Sequence, residues 1–328
     1  MKVLFIGGTG MISTSVSRLA VAEGIELYLL NRGNNKQDIP EATHLEADIE
    51  KSDSIKHALG DLNFDVVVDW LAFEPQDIEH AINLFKNRTK QFIFISSASC
   101  YQKPVNHYKI NESTPLANPY WDYSQNKIAC EIRLMQAYRD EGFPATIVRP
   151  SLTYSKNFPI AIGGWGCYTL ADRILNDQPI IVHGDGTSLW VVTHADDFAK
   201  GFVPLMGNPQ AIGEAFHITS DEVLTWDQIY QTIATALGKK ANIIHIPSDF
   251  IVNIKPEYEG TLLGDKSWSV VFDNSKIKRI VPEFNPVIPF HKGIQLTLDW
   301  FNEDNNRRFV NATVNASMDA IISAYQKR

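Results

Sequence analysis

Cysteine is scarce in this chain, with three residues in 328, at positions 100, 130 and 167. An odd set cannot all pair, and the spacing matches no metal-ligand pattern, so free thiols in a reducing compartment are expected and a metal centre is not. Long apolar runs are missing too: no stretch reaches the length of a membrane span. No leader pattern precedes the first strand-like segment. The cytoplasm is therefore the expected location. Positive charge is in deficit, with 30 Lys and Arg against 38 Asp and Glu, a formal net charge of −8. The basic clusters, Lys86 to Lys90 and Lys276 to Arg279, are short, which argues against nucleic acid or an anionic membrane as the main partner. Short-period repeats and low-complexity tracts are absent. What remains, 44% hydrophobic and 21% charged, is the composition of an ordinary globular protein with room for one large or two small domains.

Through the first half, strand-like runs alternate with helix-like segments: Val3–Ile6, a helix over Ile12–Glu23, Glu26–Leu30, a helix near Ser52–Leu59, Val66–Trp70, a helix over Asp77–Lys86, Gln91–Ser96, a helix over Asp122–Asp140, and Ala145–Arg149. Continuous apolar strands separated by helices predict an α/β fold whose parallel sheet is covered on both faces, the doubly wound arrangement. From about Ser151 the rhythm loosens. Ile180–His183, Trp190–His194 and Ala215–Thr219 read as strands and Thr225–Leu237 as a helix, while Asn302–Arg328 reads as a polar segment and then a short helix.

Two segments carry chemistry. Lys2 to Ser13 is an apolar run that breaks at Gly7 and Gly10 into helix formers, the pattern of a strand turning into a helix whose N-terminus holds a pyrophosphate. Tyr123 and Lys127 stand four residues apart on one helix face, where an ammonium favours phenolate and draws the tyrosine pKa down toward acid–base use.

Together these segments resemble the extended short-chain dehydrogenase/reductases, the NAD-dependent epimerase/dehydratase group. The resemblance implies a Rossmann-type domain over residues 1–150, with later segments returning to it, and a smaller substrate-binding lobe over 151–328. It assigns Ser97, Tyr123 and Lys127 as catalytic, since Ser97 lies four residues before Tyr101 in the family's strand-end segment. Gly7, Thr9, Gly10, Met11, Ile12, Asn31, Arg32, Asp48, Ile49, Leu71, Ala72, Phe73, Ser96, Tyr123, Lys127 and Pro150 are its implied cofactor contacts. Ser13 replaces the common third glycine. At the end of the second strand, Asn31-Arg32 stands where a carboxylate would bind the ribose of NAD. A guanidinium there can pair with a 2′-phosphate, which favours NADP over NAD. The helix bearing Tyr123 forms a dimer interface in relatives, so a homodimer is also implied.

Departures from the family narrow the chemistry. Dehydratases carry an Asp-Glu pair after the catalytic hydroxyl; here Ala98 and Ser99 stand there, which disfavours dehydration. Enzymes that use nucleotide sugars keep an Asn and an Arg where this chain has Leu152 and Trp190. Trp190 is read equally as a stacking surface or as core, His183 and His194 as structural, and the loop around Gly163-Gly164-Trp165-Gly166 as a lid. Ser99, Trp165, Arg173 and Trp190 are the candidate substrate contacts. The expected activity is that of an NAD(P)-dependent oxidoreductase or epimerase, with hydride transfer at a hydroxyl or ketone carbon of a sugar or sugar-like substrate; simple reduction or oxidation and epimerisation through a transient ketone both stay open. The rival from another class is a non-catalytic dinucleotide sensor or nucleic-acid-binding relative, which the Tyr123, Lys127 and Ser97 set disfavours.

Overall fold

A computed structural model describes residues 1–33, 39–49 and 51–328. In β1 (Lys2–Ile6) both sets of alternating side chains are buried, Val3 and Phe5 on one face and Leu4 and Ile6 on the other. A strand covered twice is apolar throughout, which is why these runs show no polar alternation. β1 joins β2 (Glu26–Asn31), β3 (Thr43–Glu46), β4 (Phe64–Asp69), β5 (Thr89–Ile95), β7 (Ala145–Pro150) and β12 (Ala215–Ile218) in one seven-stranded parallel sheet. The order is β12-β7-β5-β4-β1-β2-β3. The chain reverses direction of growth between β1 and β4, and ligands of such sheets bind at that point, beyond the carboxyl ends of the strands.

Helices α1 (Met11–Ala22) and α6 (Ala195–Phe202) supply residues to one face, through Val16, Ala20, Phe198 and Phe202. The other face takes α2 (Ser52–Leu59), α3 (Pro75–Phe85) and α4 (Asp122–Glu141), with Ile78, Ile82, Cys130 and Leu134 among the buried contacts. The doubly wound parallel sheet is thus as the sequence implies.

The remaining elements are short strands β6 (Lys109–Ile110), β8 (Leu152–Tyr154), β9 (Ile180–His183), β10 (Leu189–Trp190), β11 (Val192–His194), β13 (Leu224–Thr225), β14 (Ile243–Ile246) and β15 (Val271–Phe272). With them go α5 (Thr169–Leu175), α7 (Trp226–Ala236), α8 (Ser248–Ile254), α9 (Glu259–Thr261), α10 (Ser275–Ile280), α11 (Phe290–Glu303) and α12 (Ala312–Gln326). A separate core holds many of them together around Trp190, Trp226, Tyr154 and Phe158.

Three expectations need correction. β3 was not expected, because Thr43-His44-Leu45-Glu46 is an edge strand with mostly exposed side chains and no apolar run. Trp190–His194 is not one strand: β10 pairs antiparallel with β13, whereas β11 pairs parallel with β8. The terminal helix is a full 15 residues, capped by the Asn311 side chain and buried through Met318, Ile321 and Ile322.

Candidate functional site

The Gly7–Ser13 loop crosses the carboxyl end of β1. Gly7 and Gly8 have φ of +98° and +92°, open to glycine and costly for other residues. A Cβ on Gly8 would stand 2.6 Å from Leu29 Cδ2, and one on Gly7 3.2 Å from Leu71 Cγ. Small hydroxyl residues fasten the loop to α1: Ser13 Oγ accepts from Gly10 N at 2.9 Å, and Ser17 Oγ donates to Gly8 O at 2.8 Å. Ser13 therefore does more than tolerate close packing in the third glycine's place. The loop borders a cleft of about 1340 Å³, lined also by Asn31, Arg32, Ile49, Asp69, Leu71, Ala72, Phe73 and Trp165. This volume includes a groove that continues along α3 past His80 to Lys86 and Arg88, and its end beside the glycine loop is the candidate nucleotide site. The buried Asn31 Nδ2 has no hydrogen-bond partner among the described residues, and the first-turn N–H groups of α1 lack intrahelical acceptors. Both are donors that a phosphorylated nucleotide satisfies.

The sequence reading missed Asp69 and Glu46. Asp69, an acid at the end of a buried strand, accepts from Leu71 N and Ala72 N at 2.9 Å each, which shapes the cleft wall. Its burial pushes its carboxyl pKa up. Glu46 is paired opposite Asn31 by the β2–β3 register and lies against Gly33, a placement invisible without β3. Asp48 is ion-paired with Lys51 at 3.2 Å, and Pro150 is buried at the end of β7.

At the inner end, α4 presents Tyr123 and Lys127 one turn apart. Lys127 is almost fully buried, and its Nζ donates to Ala72 O at 2.6 Å and Ile95 O at 2.9 Å. Phe73 covers both groups, 4.4 Å from Lys127 Nζ and 5.9 Å from the Tyr123 ring, centroid distances in each case. The expected lowering of the Tyr123 pKa by Lys127 is not found. Burial pushes the phenol up to about 12, opposed by a hydrogen bond with Ser97, while the ammonium is spent on two carbonyls. Ser97 is half-buried, its Oγ 2.8 Å from Ser99 Oγ. Ser99 also receives Ser124 Oγ at 2.7 Å.

Several assigned contacts lie elsewhere. Ser99 is buried and bonded to serines, so it supports Ser97 rather than facing substrate. The Ser96 hydroxyl turns away from the cleft to Glu131 Oε1 at 2.5 Å. Glu131 in turn holds Arg149 through paired contacts of 2.6 and 2.9 Å, a buried brace between α4 and β7. Arg173 does not reach the cleft: it binds Asp319 at 2.7 Å, Asn315 at 2.5 Å and Pro179 O at 2.9 Å, fixing α12 to α5. Trp190 is core, 5.5 Å from Trp226. Trp165 is exposed at the rim of the dinucleotide cleft. His183 and His194 are structural, the first bonded to Lys266 O, the second capping α6.

Residues 3–219 match the model of the NAD dependent epimerase/dehydratase family. The chain belongs to that family. This family member is 24% identical to the 2′-dehydrokanamycin reductase of Streptomyces kanamyceticus over 87% of its own length and 80% of that protein's. It is 27% identical to the chloroplast stem-loop binding protein of 41 kDa b from Arabidopsis thaliana, over 76% and 67% of the two chains. The UDP-glucuronic acid 4-epimerase of Bacillus cereus, solved in complex with NAD, shares the fold: TM-score 0.74 at 19% identity, covering 96% and 100%. No helix among the described residues is long and apolar enough to cross a membrane.

Proposed function

We propose that this family member is an NAD(P)-dependent reductase acting at a ketone carbon of a sugar or sugar-like substrate, with Tyr123 as the proton donor. The carrying observation is the half-buried Tyr123 phenol, packed against Phe73 and Trp121 one helix turn from the buried Lys127, with burial raising the phenol pKa. A proton donor serves reduction; epimerisation needs the same group to alternate between phenol and phenolate within one turnover. Ala98 and Ser99, both buried, leave no acid pair for dehydration. Similarity to a reductase along most of both chains supports the same reading.

The Gly7–Ile12 loop, Asn31 and Arg32 would hold the adenosine and diphosphate, and the nicotinamide supplies hydride when bound. The chain's own residues do the rest. Ser97 donates a hydrogen bond to the substrate oxygen, and Tyr123 delivers its proton there as negative charge develops. Lys127 has three N–H donors, two of them committed to Ala72 and Ile95; the third is left for a ribose hydroxyl. Arg32 favours the 2′-phosphate of NADP, opposed by the nearby Glu46.

Nucleotide sugars do not suit the second lobe, because burying a diphosphate without paired donors costs several kcal/mol. Trp190 is core, Leu152 is apolar, and Arg173 is fully engaged with Asp319 and Asn315. The net charge of −8 likewise gives no support to stem-loop binding. The test is NADPH and NADH consumption with a panel of keto-sugars. Turnover that Tyr123→Phe abolishes supports the proposal, and undiminished turnover in that variant refutes it.

A further inference from the structure

A second cavity, of about 730 Å³, lies between α4 and α10 at the β12 end of the sheet and shares no lining residue with the nucleotide cleft. Its size falls within the roughly 300–1,000 Å³ typical of small-molecule sites. Ile132, Met135 and Arg139 follow one another at helical spacing along its α4 wall. Ile132 is left 61% exposed there. Deeper in, the lining is charged: Arg149 and Glu131 are buried and paired at 2.6 Å. Glu131 also accepts from Ser96 Oγ at 2.5 Å, so the inner wall of this cavity is the brace that holds the strand end preceding Ser97.

The charges that line the cavity do not all cancel. Lys276 pairs with Glu214 at 2.7 Å, Asp273 with Lys109 at 3.1 Å, and the Glu112 carboxylate accepts from His217 N at 3.3 Å. Arg139 and Arg279, one from each flanking helix, make no hydrogen bond or ion pair with any described residue. Each stands in the last turn of its helix, where a cation offsets the macrodipole. That accounts for either one alone. It does not account for two unpaired guanidinium groups from different helices lining one cavity, in a chain whose net charge is −8. A guanidinium presents a planar fork of donors that matches a phosphate or a carboxylate, and the adjoining Ile132 and Met135 offer an apolar surface.

We propose that this cavity is a second ligand site, for a small organic anion whose phosphate or carboxylate is held between Arg139 and Arg279 and whose apolar body packs on Ile132 and Met135. The site goes beyond the reductase reading and does not depend on it. An occupant would rest against the Glu131–Arg149 brace, one side chain removed from Ser96.

The experiment is isothermal calorimetry at low ionic strength, with and without saturating NADP, using phenyl phosphate, benzoate and the neutral benzyl alcohol as probes. It compares the unaltered chain with Arg139→Ala, Arg279→Ala, the double variant and Arg139→Lys. At least one anion is expected to bind about tenfold more tightly than benzyl alcohol, the scale of one charge-assisted contact, and to do so equally with NADP present. Phenyl phosphate against benzoate separates the two anion sources. Each alanine substitution should remove most of the preference, and Arg139→Lys should keep part of it. Equal affinities for anion and alcohol, displacement of the anion by NADP, or a preference that survives in the double variant overturns the proposal. So does a changed oligomeric state of either alanine variant in sedimentation velocity, which would assign the two arginines to a subunit contact. Ketone reduction and its loss in Tyr123→Phe test the reductase reading separately, and failure there leaves the anion result standing.

Discussion

The ammonium of Lys127 donates to the carbonyl of Ala72 at 2.6 Å, tying the helix that bears Tyr123 to the wall of the dinucleotide cleft. Ala72 N is in turn held by Asp69, so one buried chain of contacts runs from the end of β4 to the helix α4. Lys127→Met removes the donor and leaves two buried carbonyls without their partner, at about 1–3 kcal/mol each at most. Weaker cofactor binding and lower turnover should therefore appear together with a lower Tm. Normal NADPH affinity by fluorescence titration in a folded Lys127→Met protein would contradict this.

Tyr123→Phe makes a different prediction, because in the proposed reaction the phenol hydroxyl acts on the substrate oxygen while Lys127 holds the cofactor. NADPH affinity should change little while turnover falls by roughly two to four powers of ten.

The direction of the Tyr123 shift sets a pH profile. Burial raises the phenol to about 12, so below the ordinary value near 10 it is protonated and kcat/KM for ketone reduction should be flat across pH 6–9. The reverse oxidation needs the phenolate, and its kcat/KM should climb about tenfold per pH unit through pH 10 without a plateau. A plateau in the oxidation profile near pH 7 would show that the phenol is activated after all.

In the proposed reading, cofactor choice is set by Arg32 against Glu46. Arg32→Ala should erase a roughly ten- to hundredfold preference for NADP over NAD, the value of one charge-assisted contact, and Glu46→Gln should enlarge it. Calorimetric affinities that are equal in the unaltered protein would remove Arg32 from this role.

Acid stability should reflect His183. Burial lowers its pKa from 6.5 to about 4, so the folded state holds the ring neutral while the unfolded chain protonates it. A depressed value means stability is fully present above pH 6.5 and is lost as pH falls toward 4, by up to about 3 kcal/mol. The buried His194 and His217 shift in the same direction. Urea unfolding at pH 7 and pH 4.5 should show the loss, and His183→Gln should shrink it.

The sequence by itself determined the parallel sheet, the glycine turn and the placing of Tyr123 and Lys127 on one helix turn. Those depend on local spacing: strands buried on both faces must be apolar throughout, and residues four apart on a helix must share a face. Only the tertiary structure decided what each side chain meets. Arg173 finds Asp319, 146 residues away, instead of the cleft. Trp190 finds Trp226, and Ser96 finds Glu131. β3, exposed along its length, carried no apolar signal, so the carboxylate of Glu46 beside the nucleotide cleft could not be foreseen. The phenol of Tyr123 is the sharpest case. Its spacing to Lys127 is a fact of sequence, but its pKa follows from how deeply it is buried and where the ammonium points, and both are set by packing between segments distant in the chain.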